Sequence, residues 1–448
     1  MPPYNRPAIQ SGVTKLDKPF FDNLLDGLDE RMKTADANAT YAPVATADTV
    51  DLLTNATVVR KVKRVPDNIT WITKFASGHG WTTGASEIAP NSAEAQILGT
   101  QGLKFGPANV AAQKTIDSPT LSPTLDMTGK LLVVAVKSLD TFGGGLNIYL
   151  ANTGFTAYKL YGNPDPKHYN VDDEWTFVTI HPDAASTTVG TLDMAAIQKI
   201  RIGFDITTGT HAELVGGIGT IPIQTKYPNG VVSIDFDDNA GGQFSYARPL
   251  MVARGFPGTI CAIGEGADNA PNGQFSVEYM HMLEDVFGWE IGGHARTFAD
   301  HVDMRTLTDA QIEDAVLRNV EWLTANRFRS NYFAYPQGLS DPRVRNVVRR
   351  YFALGRTTGP DSVAMNYPVT SSQMNLPCHF GTTVADITAK ITQAAARKQW
   401  LSLGFHNFVP GASAGGAIGL ADFTTILDAI VAAGMPVVTP STLFGLPQ

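Results

Sequence analysis

A chain of 448 residues is longer than one ordinary compact domain, so two or three domains are expected. Its composition, 43% hydrophobic and 17% charged with 42 Gly and 27 Pro, is globular and favours many turns over a helical bundle. The net charge of −8, without any Lys/Arg-rich run, argues against nucleic acid as a partner and permits a neutral ligand such as a sugar. The only cysteines, Cys261 and Cys378, exclude a disulfide framework and a thiolate zinc site. They read as two buried free thiols, with a single disulfide as the alternative.

The opening Met-Pro-Pro-Tyr-Asn-Arg has no apolar signal-peptide core behind it, and no stretch approaches the roughly 18 apolar residues of a membrane span. No membrane insertion is expected. Residues 1–35 predict a short helix. Asp17 can cap it, Pro19 suits its first turn, and Phe21, Leu25, Leu28 and Met32 follow at heptad steps. It packs on its own chain or serves docking or oligomerisation, for which a trimer is the guess. The Ala/Thr/Asp stretch over 36–64 reads as linker.

Residues 65–226 predict an all-β sandwich. Leu146, Ile148 and Leu150 alternate with other residues. Ile200, Ile202, Phe204 and Ile206 alternate with Arg201 and Asp205 between them, the period of half-buried strands. Gly, Asn, Asp and Pro turns separate such runs. The layout resembles the jelly-roll modules that accompany carbohydrate-active enzymes, so the region is a candidate carbohydrate-binding module or a spacer. His79, His168, His181 and His211 are scattered and read as ordinary surface histidines.

Residues 227–448 change rhythm to alternating strands and helices. Candidate strands are 231–236, 259–263, 290–292, 332–334, 353–355, 400–405 and 436–439. One helix starts at Thr308, with Gln311 completing a capping box and Ile312, Val316, Val320 and Leu323 as its buried face. Another starts at Asp341 with Pro342 in its first turn. About seven strands alternating with helices imply an α/β, (β/α) barrel of fewer than eight units.

In such barrels functional groups stand at the C-terminal ends of strands. There the sequence places Asp235, Asp237 and Asp238, then His294, then Tyr335, Pro336 and Gln337, then Arg356, then His406. Carboxylates and imidazoles converging on one rim suit a divalent metal bound by oxygen and nitrogen. Such an ion lowers the pKa of water and polarises a carbonyl. With a carboxylate base and a histidine acid beside it, the set has the parts for amide or ester hydrolysis.

Asp235-Phe236-Asp237-Asp238, Gly293-His294 through His301, Phe333-Ala334-Tyr335-Pro336-Gln337-Gly338 and Leu403-Gly404-Phe405-His406 resemble the ordered motifs of the polysaccharide deacetylases, carbohydrate esterase family four. Gly434-Met435-Pro436-Val437-Val438-Thr439 is similar to that family's last strand. The resemblance covers about half the chain and implies a distorted barrel and a metal-dependent deacetylase of N-acetylated polysaccharide or peptidoglycan. It implies Asp237 as general base, Asp238, His294 and His301 as ligands of one divalent ion, zinc first, and His406 as general acid.

The chain departs from that pattern in three ways. Six residues, 295–300, separate the two histidines where the family has three. On a straight helix seven steps rise about 10 Å. Two nitrogens on one zinc stand only about 3–3.5 Å apart, given bonds near 2 Å. The intervening residues therefore loop out, or Asp300 or Asp303 replaces a histidine. Ala334 stands where the family often has an arginine, and Arg356 is the candidate to restore that charge and orient Asp237. Asp235 replaces a small hydroxyl residue, points to the same side of its strand as Asp237, and is placed to tune the base. Tyr335, with Pro336 and Gln337, lines a sugar subsite or packs the barrel. His281, beside Met280 and Met282, and His379 read as structural.

Gly12-Val13-Thr14-Lys15-Leu16-Asp17 through Leu24-Leu25-Asp26-Gly27-Leu28 resembles the N-termini of minor tail proteins of phages infecting actinobacteria. That implies a virion location, other tail proteins as partners, and action on the host surface from outside. The rival expectation is a deacetylase fold without turnover that binds glycan for adsorption.

Overall fold

The computed structural model describes residues 68–106, 112–139, 145–163, 175–206, 212–270, 273–328, 330–358, 365–367, 373–381 and 383–446. The expected N-terminal helix and linker, with His168 and His211, lie outside them. The described residues belong to one compact unit.

Among the described residues, eleven strands precede residue 223. They are β1 (Thr70–Thr73), β2 (Ile88–Ser92), β3 (Gly102–Phe105), β4 (Ala112–Asp117), β5 (Lys130–Ser138), β6 (Leu146–Ala151), β7 (Tyr158–Asn163), β8 (Thr176–Ile180), β9 (Thr187–Val189), β10 (Lys199–Ile206) and β11 (Glu213–Pro222). They form two antiparallel sheets, one ordered β2-β3-β11-β5-β8 with β1 on β11, the other β4-β10-β6-β7-β9. The alternation predicted for β6 and β10 is the reason they face a shared core. Leu146, Ile148, Leu150, Ile200, Ile202 and Phe204 meet Leu132, Val134 and Val136 of the opposite sheet. β5 is apolar on both sides because its other face is covered too. Leu131, Val133 and Ala135 join Phe177, Ile221 and Tyr367, the last contributed from beyond the sandwich. His181 is buried rather than a surface residue, and its Nδ1 accepts the Asp183 N–H at 3.1 Å.

The second half contains β12 (Val231–Asp237), β13 (Thr259–Ile263), β14 (Glu290–Ala295), β15 (Tyr332–Ala334), β16 (Leu354–Arg356), β17 (Met365–Asn366), β18 (Trp400–Phe405), β19 (Asn407–Val409) and β20 (Ala417–Gly419). Seven form one sheet ordered β16-β15-β14-β13-β12-β18-β17. All neighbours in it are parallel except β17 on β18. This differs from the expected ring of about seven strands. The sheet is barrel-like, and an irregular segment lies against β16 and β18. Leu376 bridges Arg356 of β16, and His379 bridges Leu403 of β18, both parallel. The expected strand 436–439 is reduced to one parallel bridge, Val437 on Val232.

The helices expected after Thr308 and Asp341 span Asp309–Ala325 and Pro342–Val348 with the predicted caps, including the reciprocal Thr308–Gln311 box. β12 shows how a two-residue period divides two environments. Val232, Ile234 and Phe236 join the core shared with the helices. Ser233, Asp235 and Asp237 point the other way, into the barrel interior. There Ser233 accepts from Trp400 Nε1 at 3.0 Å, and Tyr332 donates to Asp235 at 2.5 Å.

Candidate metal centre and active site

β12 ends at Asp237, and Asp238 and Asn239 follow with φ of 69° and 42°. Non-glycine residues rarely adopt this left-handed region, though Asp and Asn tolerate it best. The turn swings the Asp238 carboxylate toward the end of β14. There His294 is buried, with Nδ1 2.8 Å from the Ala334 carbonyl. A carbonyl only accepts, so Nδ1 carries the proton, and the Nε2 lone pair of the neutral ring faces the site. Burial pulls His294 below the usual histidine range, against the pull of Asp237 in the other direction, and favours that neutral form. Gly293 before it admits no side chain, since a Cβ would stand 2.2 Å from Asn319 Oδ1.

His301 reaches the same point by the loop alternative. After β14 the chain turns through Phe298–Asp300, closed by a reciprocal box between Thr297 and Asp300, and His301 follows as its C-terminal cap. The two Nε2 atoms lie 2.9 Å apart, and Asp238 Oδ1 is 3.6 Å from one and 3.9 Å from the other. One ligand atom from each of the three residues falls within a 4.8 Å set. Neither proposed substitute takes part. Asp300 is held by Thr297 and Arg318, and Asp303 by Arg305.

This donor set fits a divalent cation. Asp238 Oδ1 is a buried carboxylate oxygen without a hydrogen-bond partner among the described residues, facing two imidazole nitrogens. A cation satisfies all three at once.

Asp237 stands beside this cluster with both oxygens on Arg356 Nη2, at 2.7 and 2.8 Å. Burial works to raise its pKa. Arg356, with His294 and His406, outweighs that and holds the carboxyl below the ordinary carboxylate range. The charge absent at Ala334 is thus supplied from β16. Asp235 lies deeper, where burial pushes its carboxyl up to about 6 against the opposing pull of Arg356 and the Tyr332 hydrogen bond. Arg356 Nε is 3.7 Å from Asp235, so one guanidinium serves both carboxylates. His406 is exposed at the end of β18, its ring 5.0 Å from Phe380. Phe380 lies 5.3 Å from the Arg356 guanidinium and packs over Gly404, where a Cβ would stand 2.3 Å from its ring.

Two of the three residues offered for a sugar subsite, Tyr335 and Pro336, are buried. Tyr335 is fully buried, and its hydroxyl donates to the Met374 carbonyl at 3.0 Å, so it packs the barrel and lines no subsite. Pro336 is buried as well, which leaves Gln337, exposed at a φ of 58°, as the accessible member of that motif. Cys261 and Cys378 are free and buried. His281 stacks on Phe328 at 4.5 Å, and His379 bonds Asp386 at 2.6 Å, both in structural settings.

Sequence reasoning missed Asn239 and Gln243, both fully buried. Asn239 Oδ1 accepts the Ile263 N–H at 3.0 Å. Gln243 Nε2 donates to the carbonyls of Asp237 and His406, each at 2.5 Å. The available signal was a pair of amides flanking Gly241 and Gly242 directly after the two aspartates.

Residues 224–352 match the family model described as Polysaccharide deacetylase, a span that holds Asp237, Asp238, His294 and His301 but neither Arg356 nor His406. No curated protein matches the chain. Similar solved structures include the Xyl-CE4 domain of a multidomain xylanase from the hindgut metagenome of Trinervitermes trinervoides, at 17% identity and a TM-score of 0.36 over 48% of this chain and 90% of that one. A family 4 carbohydrate esterase from Streptomyces lividans in complex with acetate is 18% identical, with a TM-score of 0.34 over 49% and 99%. A family 4 acetyl xylan esterase from Clostridium thermocellum in complex with a cobalt ion is 17% identical, with a TM-score of 0.34 over 48% and 93%. Likeness of this degree carries no statement about activity.

Proposed function

We propose that the barrel half is a divalent-metal-dependent hydrolase that removes acetyl groups from a glycan, with N-acetylated cell-surface polysaccharide or peptidoglycan as the first choice of substrate. The observation that carries this reading is the convergence of Asp238, His294 and His301, seven residues apart in the case of the histidines, beside an ionised Asp237. The family model over residues 224–352 agrees with it.

Asp238, His294 and His301 would hold the ion, with zinc as the first expectation. When bound it acts as a Lewis acid, polarising the acetyl carbonyl and acidifying water. Asp237 takes the proton of the attacking water, and Arg356 keeps that carboxylate charged and fixed until it does. His406, exposed at the rim, donates a proton to the departing amine. Carriage on a phage tail is a further part of the proposal. It is supported by the resemblance of the first thirty residues, which lie outside the described structure.

The test is acetate release from N-acetylglucosamine oligomers, peptidoglycan and an O-acetylated xylan. Each substrate is assayed with and without chelator, comparing wild type with Asp237→Asn. Release is expected to need the metal and to vanish in the variant. Release that ignores the chelator would overturn the mechanism, and a metal-loaded protein that releases nothing would favour the glycan-binding alternative.

A further inference from the structure

We infer that Gln243 is a positioning residue that sets the separation between Asp237 and His406. This rests on the reading of those two residues as base and acid. The parallel ladder between β12 and β18 ends at Phe236 opposite Phe405. Asp237 and His406 are the next residues on each strand, one step past the last ladder pair. In parallel sheets the pairing weakens at such an end, and strand termini fray. Here the side-chain amide of Gln243 replaces the missing rung, its nitrogen donating to the carbonyls of both residues.

The orientation of that amide is not ambiguous. Both partners are carbonyls, which only accept, so the nitrogen faces them. The other end of the group, Oε1, is buried and accepts no hydrogen bond among the described residues. The amide is placed for its two donors.

The local sequence delivers it there. From Asp238 the chain must cross from the end of β12 to the junction of β18 and β19 within a few residues. It does so against backbone. A Cβ on Gly241 would stand 2.1 Å from the Gly273 carbonyl oxygen, and one on Gly242 would stand 2.3 Å from that of Phe408. The two glycines permit the approach, and Gln243 fills the position it creates. Asn239 ties the same turn to Ile263 at the end of β13. The end of β12 is therefore stapled to both neighbouring strands by side-chain amides, and the staple to β18 joins the two groups that must exchange protons with one substrate.

The experiment uses the full chain carrying Gln243→Met, which keeps length and volume but donates nothing, and Gln243→Glu, which keeps shape and loses the amide N–H donors. Hydrogen exchange over segments 235–240 and 404–409 is read first. Both segments are expected to exchange about tenfold faster or more, with the rest of the barrel unchanged. No acceleration, or acceleration spread through the whole domain in both variants, overturns the inference. Kinetics are read second. The value of kcat is expected to fall about 10- to 100-fold, as for a misplacement near 1 Å. KM and the Kd for zinc, measured against a chromophoric chelator, are expected to stay within about twofold. An unchanged kcat in an active protein overturns it, as does a fall in kcat that is matched by losses in KM and zinc affinity. A wild type that releases no acetate ends the hydrolase reading, and the exchange result then decides the staple alone.

Discussion

Arg356 leaves β16 and meets Asp237 on β12, with no exposed surface of consequence on either partner. Such a pair is asymmetric in energy, because removing one partner strands a buried charge at a cost of about 3–5 kcal/mol. Arg356→Met is accordingly expected to lower unfolding stability by about that amount in urea titrations, and to lower kcat for acetate release more than tenfold. Asp238 has a different part. Asp238→Asn keeps the volume but weakens the ligand set, so dialysed protein is expected to hold well under one equivalent of zinc by elemental analysis. It should also lose the upward shift in Tm expected of the wild type in saturating zinc, where ligand linkage adds about 2.7 kcal/mol of stability at a hundredfold excess over Kd. At this scale the sequence was informative wherever chemistry follows strand ends. Asp237, Asp238, His294 and Arg356 were picked by that rule, because the C-terminal end of a barrel strand is a defined place, and the structure brings them together. Tyr335 was assigned two roles because side-chain direction just past a three-residue strand is not set by period. Its hydroxyl turns inward to Met374.

The segment between His294 and His301 shows what an element can do that a spacing cannot. The six intervening residues would carry a straight helix far past the site. A tight turn braced by Thr297 and Asp300 brings His301 back. Loss of an N-terminal cap typically costs about 1 kcal/mol, equivalent to about fivefold in a binding constant. Thr297→Ala is expected to weaken zinc binding by roughly that factor in chelator competition while leaving kcat at saturating metal within about twofold. A tightened or unchanged Kd would show that the turn does not hold the ligand. Regular elements were legible from residue pattern: the period of two in β6, β10 and β12, and the capping box at Thr308, each announce their structure. The segment beside β16 and β18 was missed although Met374, Leu376, Cys378 and Phe380 alternate with other residues. It makes only isolated bridges among the described residues, Leu376 to Arg356 and His379 to Leu403, and no continuous ladder.

On the scale of the molecule, two buried carboxylates oppose stability at high pH. Burial raises Glu290 to about 7 against its hydrogen bonds from Ser441, and raises Asp235 to about 6. In each case the folded state binds the proton more tightly than the unfolded chain. Stability from these groups is therefore full below about pH 4, where both states are protonated. It falls as pH rises through the folded values, levelling off above about pH 7. Glu290→Gln mimics the protonated form. It is expected to match wild type near pH 4.5 and to exceed it by about 2–3 kcal/mol near pH 8 in urea titrations. A difference that does not change with pH would refute the assignment.

Tyr367 has a consequence for how the chain can be divided. It comes from the barrel half, sits in the apolar cluster against β5, and donates its hydroxyl to the Arg397 carbonyl at 2.9 Å. Gln224 similarly reaches the Lys398 carbonyl at 3.1 Å. The two halves thus share a seam and are not beads on a string. Severing them near residue 226 would bare greasy surface on both pieces, so grafting the barrel half onto a new carrier calls for moving its β-rich companion with it.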